Sequence, residues 1–218
     1  MCFSATSSLM AGAFAYGVAG FVYRKQDPRL KWGAVALVGI TAMQWVEGLL
    51  WMSDPSDCGT IDQLLTVVAI PLALLAQPWG PLIGSTWAVP TGPRRGLIAL
   101  LGVSALVMVL GARANHQPIC TAVTPEGYLN WWSPTNPPEF WLPSYSLWAM
   151  VIGAPFLLWW RPRWQAPVIV SWGWLCATLS FMYTDSAASN WCFFVSFYAL
   201  FLFAYAALAG SGSRTRAT

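Results

Sequence analysis

The chain has 218 residues, 57% of them hydrophobic and only 9% charged, against about 25% charged in a typical soluble domain. So few polar side chains cannot cover a globule, which excludes an ordinary soluble fold and makes lipid the solvent. The net charge of +3 is too small to imply a nucleic-acid partner.

Apolar runs of about 20 residues, the length that crosses a hydrocarbon core, recur along the whole sequence. They lie at residues 4–23, 32–52, 63–79, 96–112, 141–160, 165–183 and 190–209. This pattern predicts one all-α transmembrane domain over residues 1–218, a polytopic bundle of seven spans. The fifteen Trp and sixteen Pro agree with it, because indole rings favour the membrane interface and spans tolerate proline. The first run has no basic residue ahead of it, so it is expected to stay as a span and not to be removed as a signal. Cys2 has no lipoprotein context and position two is not glycine, so no lipid anchor is expected. The third run is interrupted by Pro78 and Pro81 and turns apolar again from Leu82 to Val89, which reads either as a short span or as a longer helix broken near Gln77-Pro78.

Basic residues that flank spans resist translocation. Arg24, Lys25, Arg29, Lys31, Arg94, Arg95, Arg161, Arg163, Arg214 and Arg216 all fall on one side of a seven-span chain, ten of the eleven Lys and Arg. Arg113 falls on the other, together with Asp54, Asp57, Asp62, Glu126, Glu139 and Asp185. The N-terminus is therefore expected outside and the C-terminus in the cytoplasm, with the protein multi-pass in a bacterial inner membrane. The outer loop 113–140 shows no helical or strand period, and its Trp131, Trp132, Phe140 and Trp141 predict a segment lying on the membrane surface.

Four cysteines, Cys2, Cys58, Cys120 and Cys192, lie at or near the outer side, while Cys176 falls within the membrane as a packing residue. An even set in an oxidising compartment predicts two disulfides. The preferred pairing is Cys58 with Cys120 and Cys2 with Cys192, one of three that four cysteines allow. A soft-metal site built from these thiols with His116 is the weaker reading. No metal and no cofactor is assigned.

One acid lies well inside a span. Glu47 stands five residues before the end of the second run, with Gln44 three residues earlier and Trp51 four later on the same helical face. A bare carboxylate in hydrocarbon costs several kcal/mol, so it must be protonated, paired or beside a wet cavity. Ser4, Ser7 and Ser8 in the first run, Tyr183 and Asp185 at the end of the sixth, and Trp191 opening the seventh share its depth. Ser4, Ser8, Gln44, Glu47, Trp51, Tyr183, Asp185 and Trp191 are the predicted ligand-binding set. Gln77, beside Pro78, is expected to act structurally by capping carbonyls that the proline leaves free.

Several chemistries are excluded. A retinal Schiff base needs a lysine inside a span, and Lys25 and Lys31 lie in the first cytoplasmic loop. A single histidine rules out bis-histidine haem and zinc hydrolases built on several histidines. There is no Gly-x-Ser-x-Gly elbow, carboxylate pair or phosphate-cradling loop, so no catalytic residue is assigned and the chain does not read as an enzyme.

The start Met1-Cys2-Phe3-Ser4-Ala5, the segment Met43-Gln44-x-x-Glu47-x-x-Leu50-Trp51 followed by Cys58, the pair Gln77-Pro78 and the pair Trp191-Cys192 occur in that order. Together they resemble an uncharacterised multi-span membrane family found in bacteria, algae and large DNA viruses. The resemblance touches the first, second, third and seventh runs. It implies a fold type and marks Cys2, Gln44, Glu47, Cys58, Gln77 and Cys192, but implies no reaction.

The expected function is binding or transport of a small molecule in an outward-facing pocket centred on Glu47 and Gln44, with tryptophans supplying apolar or cationic contacts. The breaks at Gln77–Pro81 and Pro155 offer bending points. A second expectation is a non-catalytic subunit of a larger membrane assembly or a homo-oligomer, since Ala11, Ala15 and Ala19 repeat every four residues beside Ala13 and Gly17. A seven-span sensor or a thiol-redox membrane enzyme ranks last, because the cytoplasmic loops are short and there is no Cys-x-x-Cys.

Overall fold

The computed structural model describes residues 4–55, 57–88, 98–99, 101–107, 110, 120–125, 127–130, 138–183 and 196–211, without the side chains of 87–88, 138–147, 176–177, 179–183 and 208–211. The chain is mostly helical. Three helical runs are long and apolar enough to cross a membrane: Ala5–Tyr23, Pro28–Met52 and Thr60–Thr86. Shorter apolar helices cover Trp148–Trp159 and Tyr198–Ala207.

Helix α1 (Ala5–Tyr23) starts where the extended backbone of Ser4 turns its hydroxyl onto the Ser7 N–H at 3.2 Å, which satisfies one of the free amides of the first turn. Helix α2 (Pro28–Ile40) opens on Asp27-Pro28. The Asp27 carboxylate accepts from the Arg29 N–H at 2.9 Å, and proline at the first position loses an N–H that would have had no partner. The second expected span is not one straight helix. At Thr41 (φ −96°, ψ 5°) the hydroxyl donates to the Leu37 carbonyl at 2.7 Å, and α3 (Ala42–Met52) starts afresh beyond it. Such a hydroxyl competes for the helix's own acceptor and bends the axis.

The third run departs furthest from the sequence reading. It begins with the short α4 (Thr60–Leu64), widens into a π-helical turn over Leu65–Ala69, and continues as α5 (Ile70–Ala88) straight through Pro78 and Pro81. The irregularity expected at Gln77-Pro78 lies upstream instead. Pro71 supplies a cause, because its ring presses on the carbonyl four residues back, and a π turn opens room there. Pro81 stays inside the helix, and its own carbonyl accepts from Trp32 Nε1 at 2.8 Å.

Helices α2 and α5 meet backbone to backbone. A Cβ on Gly80 would stand 2.9 Å from the Val35 carbonyl oxygen and 3.0 Å from Gly39 Cα, and one on Gly84 would stand 2.8 Å from the Trp32 carbonyl oxygen. Close approach of this kind is what small residues provide where lipid gives helices no hydrophobic reason to associate. Helix α6 (Pro138–Trp159) closes on the same core, with Phe156 stacked on Trp32 at 5.3 Å between centroids and Trp160 at 5.0 Å. Helix α7 (Gln165–Tyr183) packs on α6, and α8 (Tyr198–Ser211) lays Leu202 against Gly33 of α2. Ala15 and Ala19 of α1 are buried in this same core.

The outer segment carries structure that its sequence does not announce. Strands β1 (Ala122–Val123) and β2 (Leu129–Asn130) pair antiparallel, with Ala122 opposite Asn130 and Val123 opposite Leu129. Gly127 turns the chain at φ +82°, a conformation open to glycine at no steric cost. Leu129 is buried beside Met43, Leu50 and Ile70, so the hairpin folds back over the ends of α3 and α5. Trp131, Trp132 and the side chains of Phe140 and Trp141 lie outside the described residues.

Candidate functional site

Glu47 and Gln44 are both fully buried on α3, inside an apolar bundle. The face that carries them packs on α1 at two small residues. A Cβ on Gly12 would stand 3.2 Å from Trp45 Nε1 and 3.3 Å from Gln44 Cβ, and one on Gly48 would stand 2.6 Å from Leu9 Cδ2. Helix α1 is thus drawn close enough to α3 to bring Ser8, the neighbour of Leu9, to the depth of Gly48 and Glu47. Ser8 is fully buried, and its hydroxyl has no hydrogen-bond partner among the described residues. Neither has the buried indole N–H of Trp45, whose ring meets Tyr16 edge-on at 5.6 Å. The seam between α1 and α3 therefore holds the buried carboxyl of Glu47 and carboxamide of Gln44, and it also holds two donors, the Ser8 hydroxyl and the Trp45 N–H, that have no partner among the described residues; an unmet buried donor costs about 1–3 kcal/mol.

Of the predicted ligand-binding set, Glu47, Gln44 and Ser8 are buried on the two helices that meet at this seam, and Trp51, half-buried, lies one turn beyond on α3. Ser4 is exposed as the cap of α1. Tyr183 ends α7 with its side chain outside the described residues, as Asp185 and Trp191 are altogether. Sequence reasoning missed Trp45, which points towards α1 beside the acid's face. Gln77 does not serve as a local cap: its side-chain oxygen accepts from Trp148 Nε1 of α6 at 3.2 Å, a link between helices.

A second polar cluster lies where the hairpin meets the start of the third run. Cys58 and Cys120 form a disulfide with 5.4 Å between Cα atoms, as the preferred pairing expected; Cys2 and Cys192 lie outside the described residues. Beside it, Asp62 is fully buried. One of its oxygens accepts from the Thr121 N–H at 3.0 Å, and Thr66 and Thr121 share a hydroxyl hydrogen bond of 2.8 Å. Asp62 reads in the sequence as one more acid of an outer loop. Asp62 and Thr66 stand four residues apart, which is the one local hint that these two share a face, while the meeting with Thr121 has no local signal.

Elsewhere an apolar groove of about 690 Å³ runs between α7 and α8, lined by Trp172, Leu175, Tyr198 and Phe201 among others. A smaller apolar cavity between α6, α7 and α8 also touches Tyr198, and neither reaches Glu47 or Gln44. Comparison with protein-family models, with curated proteins and with solved structures returns no match, so the seam and the cluster have to be read from their own chemistry.

Proposed function

We propose that this chain is a seven-span protein of the bacterial inner membrane, N-terminus outside, that binds a small molecule at the α1–α3 seam and carries it across or holds it there. The observation that carries the reading is the buried Ser8 hydroxyl and Trp45 indole N–H, both without partners among the described residues, beside a fully buried Glu47. Such a seam is costly to an apolar bundle unless something polar meets it. A ligand that fits offers acceptors to the two donors, with the Trp45 ring available to a cation. Support for seven spans comes from the three long apolar runs, the shorter apolar helices and the one-sided basic residues. The alternative role as an assembly subunit loses its main motive, since Ala15 and Ala19 already pack inside this chain.

Dicyclohexylcarbodiimide, an apolar reagent that adds to protonated carboxyls within membranes, tests the seam directly. Treated in native membranes and digested, the protein is expected to carry the adduct on the peptide containing Glu47, and Glu47→Gln to lose it. A thermal-shift screen of the detergent-purified protein against small amines and amino acids is then expected to find a compound that stabilises the wild type and not Glu47→Gln. An unmodified Glu47 together with no compound that separates the two proteins ends the proposal.

A further inference from the structure

Cys58, Cys120 and Asp62 converge from two distant parts of the chain. Their donor atoms, two sulfurs and a carboxylate oxygen, all lie within 4.8 Å of one another. Cys58 stands at the entrance to α4, Asp62 on its first turns, and Cys120 arrives with the hairpin. The carboxylate is not there by default. Asp62 is fully buried, only one of its oxygens has a partner, the Thr121 N–H, and the other, Oδ1, has none among the described residues. A buried oxygen with an unused lone pair beside two sulfurs is an expensive arrangement for a purely structural disulfide, which needs no acid next to it.

We propose that when the disulfide is reduced, Cys58, Cys120 and Asp62 form a zinc site. Reduction by an external dithiol breaks the S–S bond: two electrons and two protons pass to the sulfurs, giving two thiols, and the dithiol becomes a disulfide. Zn²⁺ then displaces the two thiol protons to solvent and takes two thiolates and the free carboxylate oxygen as ligands. Zinc suits this set because it accepts thiolate and carboxylate together in a tetrahedral shell, leaving a fourth position for water. At a Zn–S distance of about 2.3 Å, tetrahedral sulfurs stand roughly 3.8 Å apart, so breaking the covalent bond lets the pair relax to the required spacing with little backbone movement. The harder cations that prefer all-oxygen shells do not fit two sulfurs, and copper(I) has no use for the carboxylate. The Thr121 amide keeps its place as the partner of the second Asp62 oxygen, orienting the ligand from behind, the usual arrangement for a metal-bound carboxylate. The hairpin stays tied to α4 in either redox state, by a covalent bond in one and by the ion in the other.

Cobalt(II) is the probe, since its thiolate complexes absorb in the near ultraviolet and its tetrahedral complexes in the visible. The full chain, purified in detergent, is titrated with Co²⁺ before and after reduction and removal of the reductant, and Zn²⁺ is then added. The expected result is a charge-transfer band in the reduced protein only, displaced by Zn²⁺, with Asp62→Asn binding cobalt about tenfold more weakly or worse. The Cys58→Ser/Cys120→Ser variant, which keeps the other three cysteines, is expected to show no band. Reduced wild type without a band, a band that persists in the double variant, or an unchanged affinity in Asp62→Asn overturns the proposal. Should Asp62→Asn fail to fold, the oxidised and reduced wild type and the double variant decide it.

Discussion

Asp27 shows how one side chain does two tasks at the start of a helix. It caps α2 and holds Arg29 in a two-pronged ion pair, with Nε and Nη2 donating to its two oxygens at 3.1 and 2.7 Å. Arg29 also reaches the Arg161 carbonyl at 3.4 Å, joining the first loop to the one after α6. Burial raises the Asp27 carboxyl, but the side-chain and backbone hydrogen bonds from Arg29 and its charge outweigh that and hold the group below its ordinary value. A depressed carboxylate adds stability that is fully present above the ordinary value and fades as pH falls through the lower, folded one. Asp27→Asn keeps a good cap and removes the charge. The wild type is therefore expected to melt above Asp27→Asn at neutral pH, with the gap closing below about pH 4. A gap independent of pH speaks against the ion pair. Asp27→Ala also loses the cap, at a cost of about 1 kcal/mol. At this scale Glu47 and Gln44 were legible because an acid inside an apolar run stands out from its neighbours. Asp62 was not, since its burial depends on Thr121, 59 residues along the chain, and no local pattern encodes that meeting.

Helices follow the same division between local and distant causes. Caps and apolar length are written in the sequence, which is why 165–183 coincides with α7 and 4–23 with α1 to within a residue. The break at Thr41 and the π turn before Pro71 escaped, because a single hydroxyl or ring displaces the axis without disturbing the apolar pattern. Proline was overvalued at positions 78 and 81, where the surrounding helices hold α5 together. The α2–α5 contact gives a sharp test. Gly80→Ala puts a methyl against backbone atoms at 2.9 and 3.0 Å that have nowhere to move, and overpacking of that sort costs about 1–3 kcal/mol. Gly17→Ala meets nothing within 4 Å and is expected to be neutral or better. Denaturation midpoints in mixed detergent compare the two, and equal midpoints contradict the close approach of α2 and α5.

For the whole molecule the basic residues make the orientation testable. A fluorescent-protein fusion at the C-terminus is expected to fluoresce, and an alkaline phosphatase fusion at the same point to be inactive; the reverse pattern overturns the proposed direction. The Cys58–Cys120 bond adds a condition of parity. A covalent tie cannot be threaded through a hydrocarbon slab, so the two sulfurs must finish on the same face, and the chain between them must cross an even number of times. A passage outward or inward along Thr60–Thr86 therefore obliges a return leg before residue 120, and the helical residues 101–107 fall inside the apolar run 96–112 that the sequence offers for it.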